Sequence, residues 1–325
     1  MAKRIIKKYW IILIFALIIN LPIFILGTVR TNKGITNVGD LTDVSSYLNV
    51  NDSTKQEGSF SSIYVVTFEK STILQNLLFQ YDDMLDIDEI PTSSIHLTDM
   101  ELYEAGQIQK KSSIDSSIIY AYTKANKQVN YSYMGLKISY YNKNTPLKIG
   151  DLLYKINDMD ASIGRNEFRS YLSEVLKNDE SDYFTIIRNN EEIEIEETNL
   201  FYGYDYYDLN YDDLNPKINI KKTNTGGPSA GFMQALAVYN QLTEFDYTRG
   251  LKICGTGTIN INGTVGEIGG IKQKIYTANL CNADIFLCPE ANYKEAKEAY
   301  DKLDTKMKLI KISTFDEAIG YLYEL

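Results

Sequence analysis

The chain has 325 residues, room for roughly two domains at about 150 residues each. Hydrophobic residues make up 44% and charged residues 23%, an ordinary globular balance that excludes wholesale disorder. With one histidine, His96, and three cysteines (Cys254, Cys281, Cys288), the chain cannot build a His-rich zinc site or a disulfide framework, so no metal and no cofactor are expected. The first thirty residues hold five basic side chains and no acid, leaving 28 basic against 43 acidic residues in the remainder. A body that acidic repels phosphate backbones, which argues against a nucleic-acid partner.

Tyr9 to Val29 runs 21 residues without a charge, enough to cross a hydrocarbon core of about 30 Å as a helix. Pro22 is tolerated in such helices, and Tyr9 and Trp10 stand where an interfacial aromatic belt would lie. Lys3, Arg4, Lys7 and Lys8 precede the stretch, whereas only Arg30 and Lys33 closely follow it. The positive-inside rule then leaves residues 1–8 in the cytoplasm and everything after residue 30 outside. A cleaved signal peptide is the competing reading, but its apolar region should be about 7–15 residues long and end at a small-residue site. The expected location is therefore the cell membrane, with a single pass over 9–29 and an extracytoplasmic body.

Residues 31–62 are rich in Ser, Thr, Asn, Asp and Gly, the composition of loops or a stalk. Leu97 to Gln128 has apolar residues recurring at three to four, the signal of one long helix or two. No chemistry attaches to 30–128, which reads as a spacer or a cover. From Val129 to Thr198 the pattern changes to short strands and turns: YSYMGLKISYY, then LKIGDLLYKINDMD, a helix in NEFRSYLSEVLKN, and a hairpin in DYFTIIRNNEEIEIEE with Asn189-Asn190 at its tip. This series resembles a bacterial PDZ domain, taken here as 129–199. The resemblance implies that Tyr133, Met134, Gly135 and Leu136 receive a peptide C-terminus while the peptide adds a strand to the sheet edge. The aromatic, acidic LFYGYDYYDLNYDDLNPK, from Leu200 to Lys217, reads as a linker or a sheet-edge segment, and Pro216 marks entry to the last domain.

That domain opens with KINIKK, TNTGGPSAG and the helix FMQALAVYNQL. Gly226 and Gly227 allow a tight turn, Pro228 fits a helix start, and Ser229 falls at the positive end of a helix. It is there either as a nucleophile or as an N-cap. GPSAG also fits the G-x-S-x-G elbow of α/β-hydrolases. That mechanism needs a histidine downstream of the serine, and His96 lies upstream. Lysine is the recognised alternative base. Lys272 directly follows the glycine-rich ICGTGTININGTVGEIGGIKQK run, with Ile271 and Ile275 as apolar neighbours. Cys254 and Cys288 lie in apolar runs, as core thiols do.

GGPSAG, then GTGTI, then NGTVGEIGGIKQK, with Ser229 and Lys272 43 residues apart, resembles the proteolytic domain of Lon-type peptidases. With the PDZ-like module and the N-terminal anchor, the layout is similar to membrane-anchored PDZ–Lon proteases of Gram-positive bacteria. The resemblance implies an α/β catalytic domain within 200–325, preceded by a β-rich PDZ-like domain and one transmembrane helix. It implies a serine endopeptidase acting on secreted or surface peptides and proteins, with Ser229 as nucleophile, Lys272 as base and Thr256 orienting that base. Backbone N–H groups at Gly227 and Ser229 would form the oxyanion hole. No G-x-x-x-x-G-K-[ST] occurs, so no ATP is expected. A lysine base must drop from about 10.4 to about 7–8, which burial achieves by penalising the ammonium. The rival reading is an inactive, membrane-tethered peptide-binding scaffold.

Overall fold

The computed structural model describes residues 2–53, 56–91, 94–143, 145–177, 182–197 and 201–325. Leu200, where the aromatic linker is expected to begin, lies outside them, as do residues 54–55 of the polar stretch and the side chains of residues 3, 4, 7 and 8. The uncharged run forms helix α1 (Ala2–Thr28), with Pro22 inside it. Its Tyr9–Thr28 portion is long and apolar enough to cross a bilayer, a test that a signal sequence also passes.

In chain order there follow β1 (Lys33–Asp43), β2 (Leu48–Val50), β3 (Ser59–Phe68), α2 (Ile73–Phe79), β4 (Asp86–Glu89) and α3 (Asp99–Lys124). Next come β5 (Tyr131–Tyr141), β6 (Leu152–Ile156), β7 (Met159–Asp160), α4 (Arg165–Val175), β8 (Asp182–Arg188), β9 (Glu191–Glu197) and β10 (Phe201–Leu209). The chain then forms β11 (Ile218–Ile220), α5 (Gly231–Leu242), β12 (Lys252–Gly255), β13 (Thr258–Ile259) and β14 (Val265–Gly266). It ends with α6 (Ile271–Leu280), β15 (Ile285–Pro289), α7 (Tyr293–Tyr300), β16 (Lys308–Ile312) and α8 (Phe315–Tyr323).

These elements form two units. The first holds the chain up to Val38 together with Val66–Pro91. In it β4 runs antiparallel to the start of β1, pairing Ile87 with Ile35. Helix α2 begins with a capping box in which Thr72 and Gln75 satisfy each other's backbone N–H groups.

The second unit, Gly39–Val65 and Thr92–Leu325, has two cores. One is built on the parallel strands β3, β12, β15 and β16, with α6 and α7 as crossovers. The strand run Ile285–Pro289 is buried throughout, as strands covered on both faces are. Helix α5 is buried at every position but Tyr239, so it is a core helix rather than an amphipathic one. Residues of α3, α5, α8 and the sheet share this core, among them Ile118, Phe232, Ile253, Leu287 and Phe315.

The second core lies under an antiparallel sheet of order β10-β5-β6-β8-β9, with β7 paired to β6. Phe168 and Leu172 of α4 pack there against Ile138, Phe184 and Ile186. The β8–β9 hairpin turns on Asn189 and Asn190, both at positive φ, as a two-residue type I′ loop requires. One expectation narrows here and one changes. The start of the aromatic stretch, read as a linker or a sheet-edge segment, is strand β10 at the edge of this sheet. The stretch read as a spacer supplies β3 to the parallel sheet and α3 to the main core, so the antiparallel module interrupts the unit between α3 and β11.

Candidate active site

The loop before α5 is pinned by α3. Gly227, held at φ +87, donates its N–H to the Gly106 carbonyl over 2.9 Å. Lys110 donates its ammonium protons to the Thr223 carbonyl at 2.7 Å, the Thr223 hydroxyl at 2.6 Å and the Thr225 carbonyl at 3.1 Å. The Ser113 hydroxyl lies 3.1 Å from the Pro228 carbonyl and 3.1 Å from Gln234 Oε1. Ser229 is half-buried and sits one residue before Ala230, which occupies the cap position of α5. The serine is therefore not the N-cap, and its hydroxyl is left for other work.

The Ser229 carbonyl is held from the opposite side by the turn after β12. It accepts the Gly257 N–H at 2.9 Å and the Thr256 hydroxyl at 3.0 Å. Gly257 is at φ +147, and a Cβ on it would stand 2.7 Å from Val265 Cγ1, so this close approach admits only glycine. Thr256, fully buried, also accepts a hydrogen bond from Lys274 Nζ at 3.0 Å. A single hydroxyl thus connects a lysine to the backbone of the serine.

Lys274 is 2% exposed. Ile271, Lys274, Ile275 and Ala278 recur at i, i+3, i+4 and i+7, so the lysine lies on the buried stripe of α6. Burial pushes its ammonium down from 10.5 to about 7, because desolvation penalises the charged form. The expectation that Lys272 is the base gives way to Lys274. Lys272 is half-buried and lies about 200° around the helix from it. The signal that separates the two lysines is the i, i+3, i+4, i+7 stripe, which includes position 274 and omits 272.

One expected donor changes. The single N–H of Gly227 is spent on Gly106, which removes it from the oxyanion hole. The N–H groups of Ser229 and Ala230 make no such bond among the described residues and are the donors the loop offers. Tyr133, Met134, Gly135 and Leu136 lie in β5, where β10 pairs along one side and β6 meets this segment only at Leu136. Tyr133 pairs with Tyr207, Gly135 with Tyr206, and Leu136 with both Asp205 and Leu153. One edge of this segment is thus taken by β10. His96 packs on Tyr141 with ring centroids 5.1 Å apart. No cluster of three or more metal-ligating side chains occurs among the described residues.

A serine at the entry to a helix, with a buried lysine joined to its backbone by a threonine, is the equipment of a serine peptidase, and the comparisons with known proteins support that class. Residues 161–324, half of the chain, match the Lon protease (S16) C-terminal proteolytic domain, and the chain belongs to that family. It is 31% identical over 98 residues to the Lon protease of Trichlorobacter lovleyi, covering 30% of this chain and 12% of that protein. Against the Lon protease of the Aster yellows witches'-broom phytoplasma, identity is 28% over 97 residues, again 30% of this chain and 12% of the relative. Against that of Haemophilus influenzae it is 25% over 175 residues, 54% of this chain and 20% of the relative. The chain thus spans an eighth to a fifth of these relatives. The family match begins within the antiparallel module, downstream of both β3 and α3.

Proposed function

We propose that this chain is a membrane-anchored serine endopeptidase with a Ser229–Lys274 dyad, and that it cleaves peptides or exposed segments of secreted and surface proteins without ATP hydrolysis of its own. The observation that carries the reading is the Lys274–Thr256–Ser229 connection, with a lysine buried, without an anionic partner among the described residues, and lowered to about 7. At neutral pH a large share of such a lysine is the free amine, which can take a proton. In the proposed cycle Lys274 Nζ accepts the proton of Ser229 Oγ as that oxygen attacks the scissile carbonyl. The oxyanion forms against the N–H groups of Ser229 and Ala230. The lysine then gives the proton to the departing amine, leaving an acyl-serine. Water, deprotonated by the same amine, releases the acid and restores the serine. The anchor is α1, oriented by the basic residues that precede it. The antiparallel module serves as a wall beside the site.

The test is the full chain in detergent against an unbiased peptide library, compared with Ser229→Ala, Lys274→Arg and Lys272→Arg. A guanidinium does not deprotonate in proteins, so Lys274→Arg should be inactive alongside Ser229→Ala. Lys272→Arg should retain cleavage. Full activity in Lys274→Arg would overturn Lys274 as the base, and none in the wild type would return the chain to the scaffold reading. Protease added to intact cells should remove residues beyond the anchor, and their protection would overturn the topology.

A further inference from the structure

A cavity of about 230 Å³ opens beside the nucleophile loop. Its walls include Pro228, the residue before Ser229, together with Ser113 of α3, Thr258 of β13, and Arg165, Arg169 and Asp205 from the antiparallel module. That volume is below the roughly 300–1,000 Å³ of small-molecule sites, so it suits a side chain of a longer ligand. The charged groups on its walls are two guanidiniums and one carboxylate. Asp205 is nearly buried and accepts from Arg165 Nε at 2.6 Å and from Arg169 Nε at 2.6 Å. Beyond those bonds, Arg165 donates to Asn166 Oδ1 at 3.1 Å and Arg169 to the Gly203 carbonyl at 3.2 Å. Each guanidinium carries five N–H donors, so both keep donors to spare. Their side chains remain 17% and 36% exposed. One positive charge is left unbalanced in a chain whose net charge is −10.

We propose that this cleft is a substrate subsite for an acidic residue, or a terminal carboxylate, close to the scissile bond. The proposal rests on the peptidase reading above. A planar guanidinium receives a carboxylate through paired N–H bonds, and the second arginine adds charge without geometric conflict. Because Asp205 anchors both arginines, it sets their positions while leaving the surplus charge to the ligand. The subsite therefore selects peptides by charge at one position and tolerates uncharged residues there less well.

The experiment is cleavage by the full chain of a peptide series in which Glu, Gln and Lys are placed in turn at each position around the cut. At one position Glu should exceed Gln by about tenfold in kcat/KM, with Lys poorest, and the preference should shrink as salt is raised. Arg169→Gln and Arg165→Gln should each reduce the Glu-over-Gln ratio, and the remote Lys302→Gln should leave it unchanged. Asp205→Asn raises the local charge and should increase the ratio, a change that loss of folding cannot mimic. Circular dichroism of each variant checks the fold. Turnover with no acidic preference at any position, or a preference that survives both arginine variants, would overturn the subsite alone. Absence of turnover by the wild type would overturn the peptidase reading and the subsite with it.

Discussion

Replacing Lys274 by methionine should abolish cleavage and stabilise the fold, and the stabilisation should depend on pH in a defined way. In the unfolded chain the lysine ionises near 10.5, and burial lowers it to about 7 in the folded protein. Between those values the unfolded state binds more protons than the folded one, so stability rises with pH across that window. Below about 7 both states carry the proton and the buried ammonium exerts its full penalty. Above about 10.5 neither does and the penalty vanishes. At 1.36 kcal/mol per unit the penalty at pH 6 amounts to about 4–5 kcal/mol. Methionine fills a similar linear space with no charge to desolvate, while losing the bond to Thr256 costs about 1 kcal/mol. The net gain should therefore be about 3–4 kcal/mol at pH 6, about half that or less near pH 9, and close to zero or slightly negative near pH 10.5. Urea denaturation followed by far-UV circular dichroism at each pH measures it, with Lys272→Met as the companion. A pH-independent difference for Lys274→Met, or a larger pH-dependent one for Lys272→Met, would refute the assignment of the buried base.

The rate of acylation should rise with pH along a single-proton limb centred near 7, where Lys274 becomes the free amine, and pre-steady-state kinetics on an ester substrate would show it. Thr256→Val removes the acceptor that favours the ammonium, so this limb should move to lower pH while kcat falls by about 10²-fold or more through lost alignment. An unchanged profile would mean that the threonine does not hold the lysine. Gly257→Ala places a methyl 2.7 Å from Val265 Cγ1 in a backbone conformation that L residues avoid, and should cost about 1–3 kcal/mol in thermal or urea unfolding.

Much of the local structure is legible because its causes are local. The stripe Phe168, Leu172 and Val175 buries one face of α4, and Asn189-Asn190 specifies the β8–β9 turn. Strand β10 was readable too, since Phe201, Asp205, Tyr207 and Leu209 fall on the buried parity of its alternation, but its aromatic and acidic composition obscures that pattern. The place of β3 was not readable. It pairs Ser59 with Lys252, well over half the chain away, and no neighbouring residue announces such a partner. At the site, the glycine-rich motifs locate Ser229 and the α6 entry, whereas choosing between Lys272 and Lys274 requires helical phase and not spacing. The commitment of the Gly227 N–H to Gly106 depends on α3, which comes from a part of the chain with no motif of its own.

Burial alone lowers Lys274, and that choice of mechanism has consequences for how the fold is built. A neighbouring cation would depress the lysine equally well, but it would add a second charge to be desolvated in the same interior. Desolvation needs only that the surroundings be dry and closely packed. The structure meets that demand from three separate stretches of chain: α6 brings the lysine on an apolar stripe, the turn after β12 brings the buried threonine, and α3 holds the serine loop against both. Each stretch alone carries an element the others cannot supply. The helix from the region without a motif is therefore as much a part of the proposed site as the segments the family match covers. A catalytic unit assembled in this way can accept a module between α3 and β11, because what the site requires is the packing of those two ends and not the length of chain between them.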